Sequence, residues 1–137
     1  MLMRIVLVLV VGLLSMELQS APTRNISDIP IYSSLRACVN IKPLKLRYVN
    51  NLLILNAEFT VKKNIQQCGC FYTFAHYISV LLTQGPGEAL TNPKNHLQEG
   101  KFPLEKNRTQ DLVISSESSK IKNNRLAVFI GCDWPGG

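Results

Sequence analysis

Apolar and polar positions alternate through much of the chain, and the alternation breaks at recognisable places. From Leu35 to Ile41, the residues Ala37, Val39 and Ile41 share one side, and Arg36, Cys38 and Asn40 the other. Leu44, Leu46 and Tyr48 then alternate with Lys45 and Arg47, and Leu52 to Val61 follows Asn50-Asn51. A period of two with β-branched and aromatic residues predicts strands rather than a helix over 44–61. Asn tolerates positive φ, so Asn50-Asn51 suits a two-residue hairpin turn. That turn sets Val49 opposite Leu52, Tyr48 opposite Leu53, Leu46 opposite Leu55 and Leu44 opposite Ala57. One face becomes continuously apolar, while Lys45 and Arg47 stand against Asn56 and Ile54 on the other.

Lys62-Lys63-Asn64 ends this pattern, and Gln66-Gln67-Cys68-Gly69-Cys70 is read as opening a long strand that runs to about Leu82. On that strand Cys70, Tyr72, Phe74, Ile78, Val80 and Leu82 form the apolar set. Gly85-Pro86-Gly87 is a turn signal, and Glu88 to Gly100 reads as polar and irregular. Leu112 to Ser116 is a further strand, with Ser115 to Ser119 a loop or a polar strand. Asn123-Asn124 suggests a second tight turn, in a poorer register that would set Ser119 against Val128. In the final strand, Leu126, Val128, Ile130 and Cys132 share one face. Short strands punctuated by Asn, Gly and Pro predict an all-β domain, a small disulfide-stapled β-sandwich, with an open β-barrel as the alternative.

The N-terminus follows a different rule. Arg4 precedes the ten-residue apolar run Ile5 to Leu14, and polar, small residues follow to Ala21. Charged, apolar and small in that order is a secretory signal peptide. Ten helical residues rise only about 15 Å, against a bilayer core of about 30 Å, so no transmembrane segment is expected. The domain reading is therefore 1–21 signal peptide, 22–34 extended leader and 35–137 a single β domain in a secreted or periplasmic protein. The whole chain has 137 residues, 46% of them hydrophobic, and carries 15 Lys+Arg against 9 Asp+Glu. That excludes a multi-domain enzyme, a coiled coil and a wholly disordered chain.

Export changes the meaning of the four cysteines, which become cross-links by default. Pairing Cys68 with Cys70 would strain a ring across one residue, which leaves two pairings. Strand parity puts Cys70 and Cys132 both on core faces and selects Cys70–Cys132 with Cys38–Cys68. Each bridge is worth about 2–4 kcal/mol. The rival reading is a metal-handling site for a soft ion at Cys68 and Cys70. Zinc sites usually carry two short-spaced pairs, and only one pair is present.

Catalysis needs convergent groups with tunable protons. His76 sits among apolar residues and reads as a core or margin histidine with one hydrogen bond; His96 reads as solvated in a polar loop. No paired carboxylates, nucleophile elbow or phosphate-binding glycine loop appears in the sequence. The expectation is no enzyme, no catalytic residues, no metal and no cofactor. Arg36, Lys42, Lys45, Arg47, Lys62 and Lys63 are the densest positive group, in a chain of net charge +6. They form the candidate patch for an anionic partner, set against the plainer reading of a solvated sheet face. Nucleic acid would call for aromatics among the charges, and Tyr48 falls on the opposite parity, so none is expected as a partner. Asn25-Ile26-Ser27 and Asn107-Arg108-Thr109 match glycosylation acceptor triplets.

The order Cys38, then Cys68-Gly69-Cys70, then Cys132-Asp133-Trp134-Pro135 resembles a family of small exported bacterial proteins of unknown function. The resemblance spans about Ala37 to Pro135, with Phe71-Tyr72-Thr73 standing where a small polar continuation is expected. It implies a periplasmic or secreted location and no activity. The resulting expectation is a non-catalytic binding or structural module whose partner is a protein or an anionic envelope component. The alternative is an inhibitor or ligand of an envelope or host protein, acting through the basic hairpin.

Overall fold

In the computed structural model, residues 24–83 and 85–133 are described. The expected signal peptide and the tail beyond Asp133 lie outside them. Val39–Val49 and Leu52–Val61 form two antiparallel strands joined at Asn50-Asn51, where Asn50 takes φ 55°. Numbered in chain order, strand β1 is Ile31–Ser33, these two are β2 and β3, β4 is Phe74–Leu81 and β5 is His96–Pro103. Strands β6, Arg108–Ser115, and β7, Leu126–Cys132, complete the set. Helix α1 spans Pro86–Thr91 and α2 spans Ser118–Ile121. One sheet has the order β1-β7-β4-β5 and the other β2-β3-β6, so the fold is an all-β sandwich of two sheets, not a closed barrel.

The hairpin register holds from Val49↔Leu52 through Lys45↔Asn56 and then shifts. Pro43, not Leu44, stands opposite Ala57, because Leu44 is the extra residue of a bulge. The bulge joins the two alternating runs, whose phases are opposite, into one strand with a single inward face. Pro43 lacks an N–H, and β2 is an edge strand, where bulges and proline are tolerated.

The sandwich interior is built from Leu53, Leu55, Ala57 and Phe59 of β3, Leu112 and Ile114 of β6, and Leu126, Val128 and Ile130 of β7. Burying each large side chain stabilises by about 1.5–3 kcal/mol. Phe59 of one sheet meets Phe102 of the other with ring centroids 4.9 Å apart.

The fold departs from the sequence expectations at four places. First, the long strand does not begin at Gln66: Ile65–Cys68 is a 3-10 turn ended by Gly69 at φ 95°, and pairing starts at Phe74. Its core-facing residues are Ala75, Tyr77 and Ser79, not the even-numbered apolar set. Val80 and Leu82 pack with Ala89 of α1 and Ala127 in a second, smaller cluster. Both faces of β4 are covered at that end, so alternation there could not show which face is inner. Second, Glu88 to Gly100 is ordered as α1, a 3-10 turn at Pro93–Asn95 and half of β5. As an edge strand, β5 carries few apolar residues. Its Gly100 is required by packing: a Cβ there would lie 2.8 Å from Tyr77 Cε1. Third, there is no hairpin at Asn123-Asn124: β6 pairs with β3, and β7 pairs with β4 and β1. Instead α2 carries Ile121 into the core as the chain crosses between sheets. Fourth, the extended leader is partly within the fold. Ile29 is buried, and β1 pairs in parallel with β7 through Ile31↔Val128.

The sheets are tied at one side by β4 side chains. The Tyr77 hydroxyl donates to the Val113 carbonyl (3.1 Å) and accepts from the Val113 N–H (3.0 Å). The Ser79 hydroxyl donates to the Ile114 carbonyl at 2.6 Å. Edge strand β6 thus has backbone groups satisfied by the facing sheet without a continuous ladder.

Candidate functional site

Cysteine spacing brings one end of the sandwich under tight control. Disulfides join Cys38 to Cys68 and Cys70 to Cys132. This is the pairing selected by strand parity, although for Cys70 that argument does not apply, since it precedes β4. Cys38 also lies just before β2 and is fully buried. Its carbonyl accepts the N–H groups of Lys62 (2.7 Å) and Lys63 (3.2 Å). Asn64 caps the 3-10 turn by accepting from the Gln66 N–H at 2.9 Å. Gly69 supplies the left-handed residue that reverses the chain between the two bridges.

The segment 71–74 leaves this knot and is held along its length. Gln66 Nε2 donates to the Phe71 carbonyl at 3.0 Å. The Thr73 carbonyl accepts from the Leu104 N–H, and the Thr73 hydroxyl donates to Glu105. The Phe74 carbonyl accepts from the Asp133 N–H. Yet its aromatic side chains face water: Phe71 is 64% exposed, Tyr72 43% and Phe74 44%. Phe71 and Tyr72 pack edge to face at 4.9 Å. A strand running through Cys-Gly-Cys would set Tyr72 and Phe74 on a core face, but pairing starts only at Phe74. The available signal was Gly69, set between cysteines of two different bridges, where a strand cannot continue undisturbed.

The six basic residues do not form one patch. Lys42, Lys45 and Arg47 lie on the outer face of the β2-β3-β6 sheet, where Lys42 stands opposite Glu58. Arg47 is engaged: its guanidinium donates to both oxygens of Asp111, at 2.8 and 3.3 Å. Asn56 donates to the same carboxylate at 2.9 Å. The Arg47 and then the Asn56 hydrogen bonds hold the Asp111 carboxyl below its usual pKa. Arg36, Lys62 and Lys63 gather at the disulfide end, where Lys62 Nζ donates to the Arg36 carbonyl at 3.0 Å. Among the described residues, none of these three is in an ion pair.

The histidines are placed separately. His76 lies on the outer face of β4, with Nε2 3.2 Å from a Glu99 carboxylate oxygen. His96 begins β5 rather than sitting in a loop, with Nε2 2.6 Å from the Leu90 carbonyl. A polar cleft of about 310 Å³ beside α1 is lined by Thr83, Glu88, Thr91, Asn92 and Asn95, among which only Glu88 is ionisable. Cys68 and Cys70 are both in disulfides and offer no thiolate to a soft ion. Among the described residues no helix is long and apolar enough to cross a membrane.

A family model described as "Uncharacterized protein conserved in bacteria (DUF2195)" matches residues 8–135. No curated protein and no solved structure matches the chain.

Proposed function

Because the chain belongs to this family of uncharacterised bacterial proteins, no activity is inherited, and we propose its role from the surface alone. It is a secreted or periplasmic, non-catalytic binding module that meets an anionic partner through its disulfide-locked end. One observation carries the reading. All four cysteines are spent on bridges that fix the end where aromatic side chains and unpaired cations are exposed. Bridges of this kind persist in oxidising compartments. A non-catalytic role is supported by the partners of the two histidines, an exposed carboxylate and a main-chain carbonyl. Neither arrangement sets a base against a nucleophile.

The alternative, an inhibitor or ligand acting through the basic hairpin, is favoured by the exposure of Lys42 and Lys45, since Arg47 is held by Asp111. Two double variants of equal charge change separate the readings. Retention of the oxidised protein on an immobilised anionic polymer is expected to fall sharply for Lys62→Glu/Lys63→Glu. It should fall much less for Lys45→Glu/Arg47→Glu. The reverse order assigns the contact to the hairpin, and equal losses show only bulk charge. Turnover of a substrate that is lost in His76→Ala would overturn the non-catalytic reading.

A further inference from the structure

The aromatic segment at the disulfide end narrows the class of partner. Phe71, Tyr72 and Phe74 are three of the exposed large hydrophobic residues of the fold, and they lie within four consecutive positions. A mobile loop would fold such side chains back against the domain. Here the two disulfides and the bonds from Gln66, Leu104, Glu105 and Asp133 fix the backbone, so the rings stay in water. The same end carries the exposed cations Arg36, Lys62 and Lys63, tied to it through Cys38, and Lys106, against two carboxylates, Glu105 and an Asp133 that is already paired with Lys101. The segment 104–106 belongs to this end through the bonds of Thr73 to Leu104 and Glu105.

From this juxtaposition the geometry points to an anionic lipid bilayer as the partner. Phe71, Tyr72 and Phe74 enter the headgroup region, and Arg36, Lys62 and Lys63 contact lipid phosphates. The inference rests on the reading of the chain as a binding module. Amphipathic and aromatic rings partition to the membrane interface, and each nearby cation adds about fivefold to partition on an anionic surface. Protein interface cores favour arginine and are depleted in lysine. Lysine predominates among these four cations, which favours lipid over an acidic protein.

The test is co-sedimentation of the oxidised chain with vesicles of equal parts phosphatidylglycerol and phosphatidylcholine, and with vesicles of phosphatidylcholine alone. All variants are compared in one form of the chain, so residues 1–23 are common to each. At least a tenfold preference for anionic vesicles is expected, weakening as salt is raised. Phe71→Ser/Tyr72→Ser should lower binding about tenfold and keep the salt dependence. Lys62→Glu/Lys63→Glu should remove the anionic preference, and Phe71→Trp should retain full binding. These side chains are exposed, so unchanged melting temperatures are expected to accompany every variant. Equal binding to both vesicles, or full binding by Phe71→Ser/Tyr72→Ser, overturns the lipid assignment. Absence of vesicle binding together with tight binding to an acidic protein that these same variants abolish also overturns it. That last outcome leaves the binding-module reading standing, whereas turnover of a substrate would remove both.

Discussion

Tyr77 does two jobs that alternation cannot announce. Its ring fills the interior against Gly100, and its hydroxyl satisfies both backbone groups of Val113 in the opposite sheet. Tyr77→Phe leaves those groups unpaired and is expected to cost about 1–3 kcal/mol by denaturant unfolding. Burial raises the Tyr77 pKa, with the Val113 hydrogen bond pulling weakly the other way. Its stabilising contribution is therefore complete below about pH 10 and is lost as pH rises through the raised value. Asp111 behaves oppositely. Its folded pKa lies below the unfolded one, so its contribution is present at neutral pH and is lost as pH falls through the folded value. Because its side chain is 46% exposed, Asp111→Asn should cost less than about 1 kcal/mol and flatten the acid limb of a stability–pH curve. The sequence shows each of these residues but not its partner, since Tyr77 and Val113 are 36 positions apart.

At the scale of elements, the β2–β3 hairpin was legible because turn chemistry and apolar phase agree. Asn50 holds φ 55°, a region that β-branched residues resist. Asn50→Val is expected to cost about 1–2 kcal/mol, read as a lower denaturation midpoint with an unchanged slope. The bulge at Leu44 was present in the sequence as the change of phase between Ile41 and Leu44, with Pro43 between them. Strand β4 misled because α1 covers its outer face at one end, giving apolar residues on both phases. Strand β5 was hidden because an edge strand with Gln98, Glu99, Gly100 and Lys101 lacks the apolar count of a strand signal. Tyr72 and Phe74, expected on a core face, are exposed for a related reason: the chain reverses at Gly69 inside Cys-Gly-Cys, where a strand cannot run through. The candidate cations were all visible, but their division between two surfaces depends on Asp111 and on the fold of Cys38 against Lys62 and Lys63.

The whole molecule is a sandwich whose two sheets meet through a shared interior and whose one end is cross-linked twice. Cys70–Cys132 spans 62 positions and Cys38–Cys68 spans 30. Closing the longer loop removes more entropy from the unfolded chain, by about 0.6 kcal/mol for a doubling of length. Replacing the Cys70–Cys132 pair by serines should therefore cost slightly more than replacing Cys38–Cys68, with each loss about 2–4 kcal/mol. Both losses should appear as lower melting temperatures of otherwise oxidised protein. The same bridges hold Phe71, Tyr72 and the neighbouring cations at the surface, so under the proposed binding role stability and recognition share one device. That device exists only where the thiols are oxidised. The decisive measurement is the mass of the chain after alkylation of intact bacterial cells before lysis. The expected species carries no alkyl group, lies four hydrogens below the reduced chain and has lost its N-terminal leader. Four alkylated cysteines on a cytosolic chain that keeps residues 1–21 would contradict the location, the locked end and the binding role built on it.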